Sequence, residues 1–203
     1  IKDLYECSDI PLQDVIIKSP ISKLPNLDLI GSTISLTSTE MKIISYPKRE
    51  YILSNYFKSN SQLFEMYDFI IFDTNPSMSI LNQNCFFMSD GIILVTDIGV
   101  NSLRGLEVFI AIWEDILNRV KRKTNIKGII INKYDKTSSI SKEFIEYVQE
   151  DSELKNLIFK TYIPYSKEIP ESELESEPIN VFDKKSKAFK AYNDFADELI
   201  NRL

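Results

Sequence analysis

Short apolar runs alternate along this chain with longer segments whose apolar residues recur every three or four positions. The runs are rich in Ile, Val and Phe and occupy Phe69–Phe72, Gly91–Thr96, Ile126–Ile131 and Leu157–Ile163. The segments with helical spacing lie at Ile80–Met88, Ser102–Lys123 and Ser141–Asp151. Strands that are apolar on both faces and separated by helices predict a mostly parallel sheet with helices on both faces. The predicted fold class is therefore α/β.

The two ends of the chain have less regular patterns. Near the start, the sequence predicts a short strand at Leu27–Ile30 and helices at Thr33–Ile44 and Lys48–Phe57. Near the end, Glu168–Glu177 places five Glu among Ser and Pro, a composition that is typical of an exposed loop. A last helix follows and continues to the C-terminus.

The composition is that of a globular protein, with 43% apolar and 27% charged residues, five Gly and eight Pro. A chain of 203 residues can bury one sizeable core, so we predict a single domain over residues 1–203. The net charge of −6 excludes a surface that is basic all over, as in a protein coated for nucleic acid. A local basic patch is compatible with this charge.

Cysteine content and hydropathy predict a cytoplasmic location. Cys7 and Cys85 lie far apart, match no metal-ligand spacing and form no disulfide framework. Both are predicted to be buried packing residues. No apolar run reaches the roughly eighteen residues that a membrane span needs, and the first residues do not resemble a secretory signal. No membrane partner is expected.

The segment Tyr67–Phe72 leads a carboxylate, Asp73, into a tight turn at Thr74–Ser77. At the carboxyl end of a parallel strand, a carboxylate faces the crevice in which ligands bind. There Asp73 can hold Mg²⁺, directly or through water, against phosphate oxygens. The alternative is that Asp73 only caps the next helix. Backbone N–H groups of the turn can sense a γ-phosphate, and Pro76 would fix their geometry.

Five short motifs occur in a specific order: YDFIIFDTNPS, LNQNCFFMSDGIILVTD, SLRGLEVF, IKGIIINKYD and TYIP. In this order and spacing the chain resembles the ParA/MinD family of deviant Walker-type ATPases, and most closely the ParA-like plasmid and chromosome partition ATPases. The resemblance runs from about Leu4 to the C-terminus. It implies a P-loop NTPase-like fold, and it implies ATP and Mg²⁺ as cofactors.

The resemblance also assigns roles to single positions. Asp73 would be the Walker B residue that binds Mg²⁺ through water. The switch that responds to hydrolysis would consist of Thr74, Asn75, Pro76 and Ser77. Asn132 matches a position near the adenine, and Pro164 and Tyr165 match the segment that packs on the base. On local sequence alone, Asn132 could equally be a strand-end turn residue and Pro164 a loop stop.

The chain departs from the family pattern in two ways. The family switch reads Asp-x-Pro-Pro-x, and Asn75 stands here in place of the first Pro. The 203 residues contain no G-x-x-x-x-G-K-S/T, the loop that holds the phosphates, so they alone are expected to bind and hydrolyse ATP poorly. Because the P-loop strand of the family pairs beside the Asp73 strand, we expect about fifty residues to precede Ile1 in the gene product.

A second implied site concerns DNA. The resemblance implies an ATP-dependent homodimer that holds nonspecific DNA on a basic surface, and a centromere-binding ParB-like partner that stimulates hydrolysis at the nucleoid. The candidate phosphate contacts are Lys167, Lys184, Lys185, Lys187 and Lys190. The alternative is the solvated start of a helix. The family often has arginine after its Ile-Pro pair, where this chain has Tyr165.

Two rival functions are compatible with the sequence. Residues 132–135 read Asn-Lys-Tyr-Asp, which in GTPases recognises guanine through its Asp, but the usual companion Asp-x-x-Gly has Pro76 at its last position here. The other rival is a nucleotide-free, ParA-like module that acts through protein contacts alone. A preference for GTP over ATP would distinguish the GTPase from an ATPase. A lack of nucleotide binding would distinguish the nucleotide-free module from both.

Overall fold

A computed structural model describes residues 1–6 and 10–203 of the chain. These residues divide into two compact units, Ile1–Ser89 and Asp90–Leu203. Cys7, which was predicted to be buried, lies outside the described residues. Among the described helices, none is both long enough and apolar enough to cross a membrane.

The first unit consists mainly of helices. Its elements are α1 (Lys2–Glu6), β1 (Ile17–Lys18), β2 (Asp28–Leu29), α2 (Leu36–Ile43), α3 (Ile52–Ser59), α4 (Ser61–Phe64) and α5 (Ile80–Met88), with 3₁₀ turns at Leu12–Asp14 and Arg49–Tyr51. Helix α5 has the bounds that the sequence predicts. Helix α2 lies within its predicted range, Thr33–Ile44, and helix α3 begins and ends a few residues after the predicted limits of Lys48–Phe57.

The core of the first unit is made by side chains that are spaced for helical packing. Leu12, Ile43 and Leu53 are fully buried there. Cys85 on α5 is also buried, which confirms the prediction for this cysteine. Burial raises the pKa of the Cys85 thiol to about 11, and it also raises the pKa of the neighbouring Tyr5 hydroxyl. Cys85 is therefore a protonated packing residue at neutral pH.

A small hairpin of β1 and β2 anchors the segment that leads to Asp73. The strands pair antiparallel, with Lys18 opposite Asp28. The Lys18 ammonium donates to Asp28 Oδ2 at 2.6 Å, and the Tyr67 hydroxyl donates to the same oxygen at 2.6 Å. These two hydrogen bonds, that from Lys18 first, lower the pKa of Asp28 to about 2. The hairpin therefore holds Tyr67, which lies six residues before Asp73, through a hydrogen bond to the ionised Asp28 carboxylate.

The predicted strand at Phe69–Phe72 is wrong for the described structure. The segment pairs with no strand among the described residues, and Ile71 is 89% exposed. The ring of Phe72 lies 6.0 Å from that of Phe57, and no other side chain of this segment has an aromatic neighbour among residues 1–6 and 10–203. A strand needs a neighbour that accepts and donates its backbone hydrogen bonds. The apolar run predicted an extended segment that can be buried, but it gave no information about which strand would pair with this segment.

The second unit contains the predicted α/β core. Its elements are β3 (Ile92–Thr96), α6 (Val100–Arg119), β4 (Ile126–Tyr134), α7 (Ser139–Glu150), β5 (Ile158–Pro164), α8 (Glu168–Leu174), α9 (Ile179–Phe182) and α10 (Lys187–Ile200), with a 3₁₀ turn at Leu154–Asn156. The strands form a parallel sheet in the order β3-β4-β5. Helices α6 and α7 make the crossovers, so the predicted parallel sheet is confirmed.

Both faces of the central strand β4 are covered. On one face, Ile130 of β4 packs with Phe159 and Ile163 of β5, and the side chains that α10 adds to this core are Ala191, Phe195 and Leu199. Ile129 and Ile131 point to the opposite face, because neighbouring residues of a strand alternate, and both are fully buried. The central strand therefore has no solvent-facing side over this stretch.

The C-terminal end of the chain fastens α10 to the sheet. Arg202 lies over the Phe159 ring, with its guanidinium carbon 4.0 Å from the ring centroid. Its guanidinium donates to the backbone carbonyls of Lys127, Leu157 and Ile158. The Glu198 carboxylate accepts the N–H groups of Lys160 and Thr161 at 2.8 and 2.9 Å. Since these N–H groups belong to β5, Glu198 occupies donors that would otherwise be open to another strand.

The glutamate-rich segment predicted as a loop is a helix over Glu168–Leu174, so that prediction is wrong. Glu168 and Glu171 lie in its first turn, where the helix dipole favours carboxylates. Pro170 also lies near the start, where a missing N–H costs no helical hydrogen bond. The composition that suggested a loop is thus also one that suits a helix N-terminus.

Gly128 of β4 gives a test of the packing in the second unit. A Cβ at this position would lie 2.3 Å from a ring carbon of the fully buried Phe159. We expect Gly128→Ala to lower the free energy of unfolding by about 1–3 kcal/mol, because neither ring nor strand can move aside easily. Chemical denaturation measures this change.

Gly105 in α6 provides the matched control, since a Cβ there would meet nothing within 4 Å. Gly105→Ala should raise the free energy of unfolding by about 0.5–1 kcal/mol, because alanine loses less conformational entropy in a helix. A Gly128→Ala protein as stable as the wild type would contradict the packing described for Phe159.

Candidate functional site

The turn after Asp73 is one candidate site, and it lies within the first unit. Asp73 is exposed and makes no hydrogen bond or ion pair within the described part of the chain. Four residues later the chain has folded back, because the Ser77 N–H donates to the Asn75 carbonyl at 2.8 Å across Pro76. The Ser77 hydroxyl also donates to Asn75 Oδ1 at 2.8 Å. Asp73 is thus an unpaired carboxylate directly before an ordered turn.

Helix α5 begins immediately after this turn. Ser79 is its N-cap, and the Ser79 hydroxyl accepts the N–H of Asn82 at 3.3 Å. The Glu40 carboxylate of α2 accepts the Ile80 N–H at 3.0 Å. Two of the free N–H groups of the first helical turn are therefore satisfied by side chains. The helix start has a fixed position relative to α2.

Sequence reasoning missed Asn82, which links α5 to the turn. Its side-chain amide nitrogen lies within 3.1 Å of four oxygen atoms of Asn75 and Ser77. A second buried amide, Asn84, donates to the carbonyls of Arg49 and Ile80 and holds the helix to the preceding 3₁₀ turn. Three consecutive amide residues, Asn82, Gln83 and Asn84, in an otherwise apolar helix were the available signal, because buried amides need partners.

A second candidate site lies at the carboxyl ends of β4 and β5, within the second unit. Residue Ile131 is in register with Tyr162, and Tyr134 with Pro164, so Asn132 lies two residues before the end of β4, and Pro164 ends the neighbouring β5. The Tyr165 N–H donates to the Tyr134 carbonyl at 3.0 Å, which continues the pairing by one residue. Ligands of open parallel sheets bind at this edge. The strand register therefore places the three residues that the resemblance assigns to the neighbourhood of the base, Asn132, Pro164 and Tyr165, at one edge of the sheet.

The exposure of these residues suits a planar ligand. Tyr165 is 73% exposed, while the preceding Ile163 is buried and fixes the strand beneath it. Asn132 is half-buried, and its Oδ1 accepts the N–H of Lys133 at 2.9 Å. Lys133 has a left-handed backbone with φ 54°, so the chain turns sharply there. The amide nitrogen of Asn132 makes no hydrogen bond to any other described residue.

Asp135, which would recognise guanine in the GTPase interpretation, serves a local turn. Its Oδ1 accepts both the N–H and the hydroxyl of Thr137, at 2.9 and 2.7 Å. These bonds, the hydroxyl first, hold the pKa of Asp135 below its ordinary value. An aspartate at this position is therefore explained by the turn that it stabilises after the strand, and no bound ligand is needed to explain it.

The five lysines predicted to contact DNA are all exposed. Lys184 and Lys185 precede the N-cap Ser186, Lys187 is the first residue of α10, and Lys190 lies three positions later on the same side. None of the five forms an ion pair within residues 1–6 and 10–203. A helix N-terminus disfavours cations, so these lysines do not stabilise α10.

Lys167 belongs to the same surface as the start of α10. The hydroxyl of Ser166 donates to Glu168, and this bond is the main reason that the pKa of Glu168 lies below its ordinary value. Lys167 and Lys187 both add to that lowering through their charges. The charges of both lysines therefore act on the same carboxylate, although neither lysine forms an ion pair with it among the described residues. We call these five residues the lysine cluster: Lys167, Lys184, Lys185, Lys187 and Lys190.

The residues present fit a magnesium ion only in part. No group of three or more carboxylate, cysteine or histidine side chains that could hold a metal occurs among the described residues. Mg²⁺, however, is commonly held by one or two carboxylates together with waters and the phosphates of its nucleotide. A single unpaired carboxylate such as Asp73 fits that mode of binding.

Comparisons with known proteins identify the family. The family model described as an AAA domain matches residues 2–127, more than half of the chain. An uncharacterized protein of Mycobacterium tuberculosis is 31% identical over 96% of this chain and 58% of its own length. The chromosome partitioning protein ParA of Myxococcus xanthus is 24% identical over 98% of this chain and 68% of that protein.

A solved structure agrees with these relatives. The putative plasmid partition protein of Borrelia burgdorferi B31 bound to AMPPNP superposes with a TM-score of 0.77, covering 100% of this chain and 74% of its own. The chain belongs to the ParA/MinD-like family of P-loop ATPases. At 20% identity, the structural likeness concerns the fold.

Membership of the ParA/MinD-like family confirms the resemblance inferred from the five motifs. The fold class is confirmed by the parallel sheet and by the superposition. The chain spans 58% of the length of the M. tuberculosis relative, so the activity and partners of the whole protein are matters for proposal.

Proposed function

We propose that this ParA-like chain belongs to a partition ATPase that segregates a plasmid or chromosome by cycles of ATP binding and hydrolysis. The observation that best supports this function is the meeting of Asn132 with Pro164 and Tyr165 at one edge of the parallel sheet. An amide beside an exposed aromatic ring can hydrogen-bond and stack on adenine. The base would lie there.

Asp73 and the turn after it would have the magnesium and switch roles that the family resemblance implies for them. Mg²⁺ would neutralise the charge that grows on the phosphate oxygens, and Asp73 would hold it through water. The backbone of Thr74–Ser77 would respond to the presence of the γ-phosphate. Asp73 is supported in this role by its position before a helix N-terminus, which favours anions, and by its lack of a partner in the described structure.

The lysine cluster would hold the phosphate backbone of DNA without sequence preference. Several unpaired cations around one helix end give the affinity and salt dependence of such binding, and they recognise no base. In the proposed cycle, ATP favours a homodimer that binds DNA in the cytoplasm at the nucleoid. A ParB-like, centromere-bound partner would then stimulate hydrolysis and release the DNA.

The experiment that tests the nucleotide proposal is a competition between ATP and GTP for the full gene product in the presence of Mg²⁺. We expect ATP to bind and GTP to bind several-fold more weakly, because Asn132 is free to contact a purine while Asp135 is engaged with Thr137. Equilibrium binding with fluorescent nucleotides measures both. Preferential binding of GTP would favour the GTPase alternative, and no binding of either would favour a nucleotide-free module.

A further inference from the structure

Asn82 holds the turn after Asp73 in one conformation. We propose that Asn82 is a positioning residue for this turn, acting through hydrogen bonds to Asn75 and Ser77, and that it thereby sets the rate of ATP hydrolysis. The role in hydrolysis rests on the proposed function, whereas the hydrogen bonds belong to the chain itself.

The contacts of Asn82 are dense for one side chain. Its Nδ2 lies 2.7 Å from Asn75 Oδ1, 2.8 Å from the Asn75 carbonyl, 2.8 Å from the Ser77 carbonyl and 3.1 Å from Ser77 Oγ. A carboxamide has two N–H groups, so it shares them among these four acceptors. The residues on both sides of Pro76 are therefore bound to the same nitrogen atom.

The amide can act as a clamp because its own position is fixed. Asn82 is 7% exposed, and its backbone N–H is bound by the N-cap Ser79. The Glu40 carboxylate holds the helix one residue after the cap, at Ile80. A buried side chain on a capped helix has few other rotamers, so the turn is tied to a rigid element.

The four hydrogen-bond contacts from Asn82 to Asn75 and Ser77, which we call the clamp, restrict how the turn can respond to a phosphate. Backbone groups of Thr74–Ser77 can move toward a γ-phosphate only if the bonds to Asn82 break or if α5 moves with the turn. Asn75 takes part through its side chain as well as its carbonyl, so this position contributes to the clamp directly. Loss of the amide would remove the donor of the Ser77 carbonyl, would leave the Asn75 carbonyl with the Ser77 N–H alone, and would loosen the turn.

The first arm of the test needs no nucleotide. In the full gene product, Asn82→Ala should speed hydrogen exchange of the Ser77 N–H about tenfold, because that N–H closes the turn that Asn82 holds. Asn75→Ala removes only one acceptor and should have a smaller effect. The double variant should exchange no faster than Asn82→Ala alone, because both changes break the same clamp.

Gln83→Ala is the matched control, since the Gln83 amide lies on the same helix but donates to the Met78 carbonyl at 2.9 Å. It should leave exchange at Ser77 unchanged. The free energy of unfolding, measured for each variant, shows whether a substitution loosens only the turn or destabilises the whole first unit. Unchanged exchange in Asn82→Ala, or equal effects of Asn82→Ala and Gln83→Ala, would overturn the clamp.

The second arm measures ATP hydrolysis. Asn82→Ala should lower kcat about tenfold with KM changed less than about twofold, because the variant alters the turn and leaves the proposed base contacts in place. An unchanged kcat with faster exchange would overturn the positioning role. A wild-type protein that neither binds nor hydrolyses ATP would overturn the proposed function and with it this role, while the exchange arm would still decide whether Asn82 holds the turn.

Discussion

Replacing Asp73 by alanine in the full gene product is expected to abolish the effect of Mg²⁺ on ATP binding and to lower ATP hydrolysis about a hundredfold or more. Asp73 is exposed and has no hydrogen-bond partner within residues 1–6 and 10–203. Its removal therefore breaks no described contact. The loss should appear in binding titrations with and without Mg²⁺ and in steady-state phosphate release.

Two companion variants make this result specific. Asp73→Asn keeps the shape and removes the charge, so it should behave like Asp73→Ala if the carboxylate holds the ion. Asp68→Asn removes an exposed carboxylate five residues earlier in the same segment and should leave hydrolysis unchanged. Magnesium-dependent binding that persists at wild-type strength in Asp73→Ala would show that Asp73 does not bind the metal.

The second unit was predictable because its sequence determines its own partners. The apolar runs that became β3 and β4 are each followed by a segment with helical spacing that leads to the next strand, and adjacent parallel strands accept one another's hydrogen bonds. The same reasoning failed at Phe69–Phe72, where the apolar pattern is equally strong but no paired strand occurs among the described residues. Apolar periodicity predicts burial and conformation locally, and pairing depends on residues elsewhere.

The candidate site was predictable to a similar, partial degree. Asn132 and Pro164 were found because they end predicted strands, and parallel strands end at one edge. Asn82 was missed because the helical pattern of Ile80–Met88 suggested only packing. Its role depends on the backbone of Asn75 and Ser77 folding back toward the helix, which the sequence of the turn does not specify. Glu168–Leu174 shows the converse, since its charges fit both a loop and a helix start.

Reversing two charges of the lysine cluster, Lys184→Glu with Lys187→Glu, is expected to weaken DNA binding by about tenfold to a hundredfold. Both side chains are exposed and lie at the N-terminus of α10. If each contacts one phosphate, the slope of log K against log salt should become shallower by about 1.8, because about 0.9 is lost for each contact. Binding of duplexes of unrelated sequence, measured at several salt concentrations, gives both quantities and should show no sequence dependence.

The matched control reverses the same number of charges elsewhere. Lys121→Glu with Lys123→Glu gives an identical net charge, at the end of α6, so a loss of DNA binding shared by both proteins would reflect net charge and would refute the cluster as the site. The cluster variant has a further advantage. The dipole of α10 favours an anion at Lys187, so the variant should keep its helix while losing DNA. Affinity that falls with stability unchanged can then be assigned to the lost phosphate contacts, because the fold that presents them is intact.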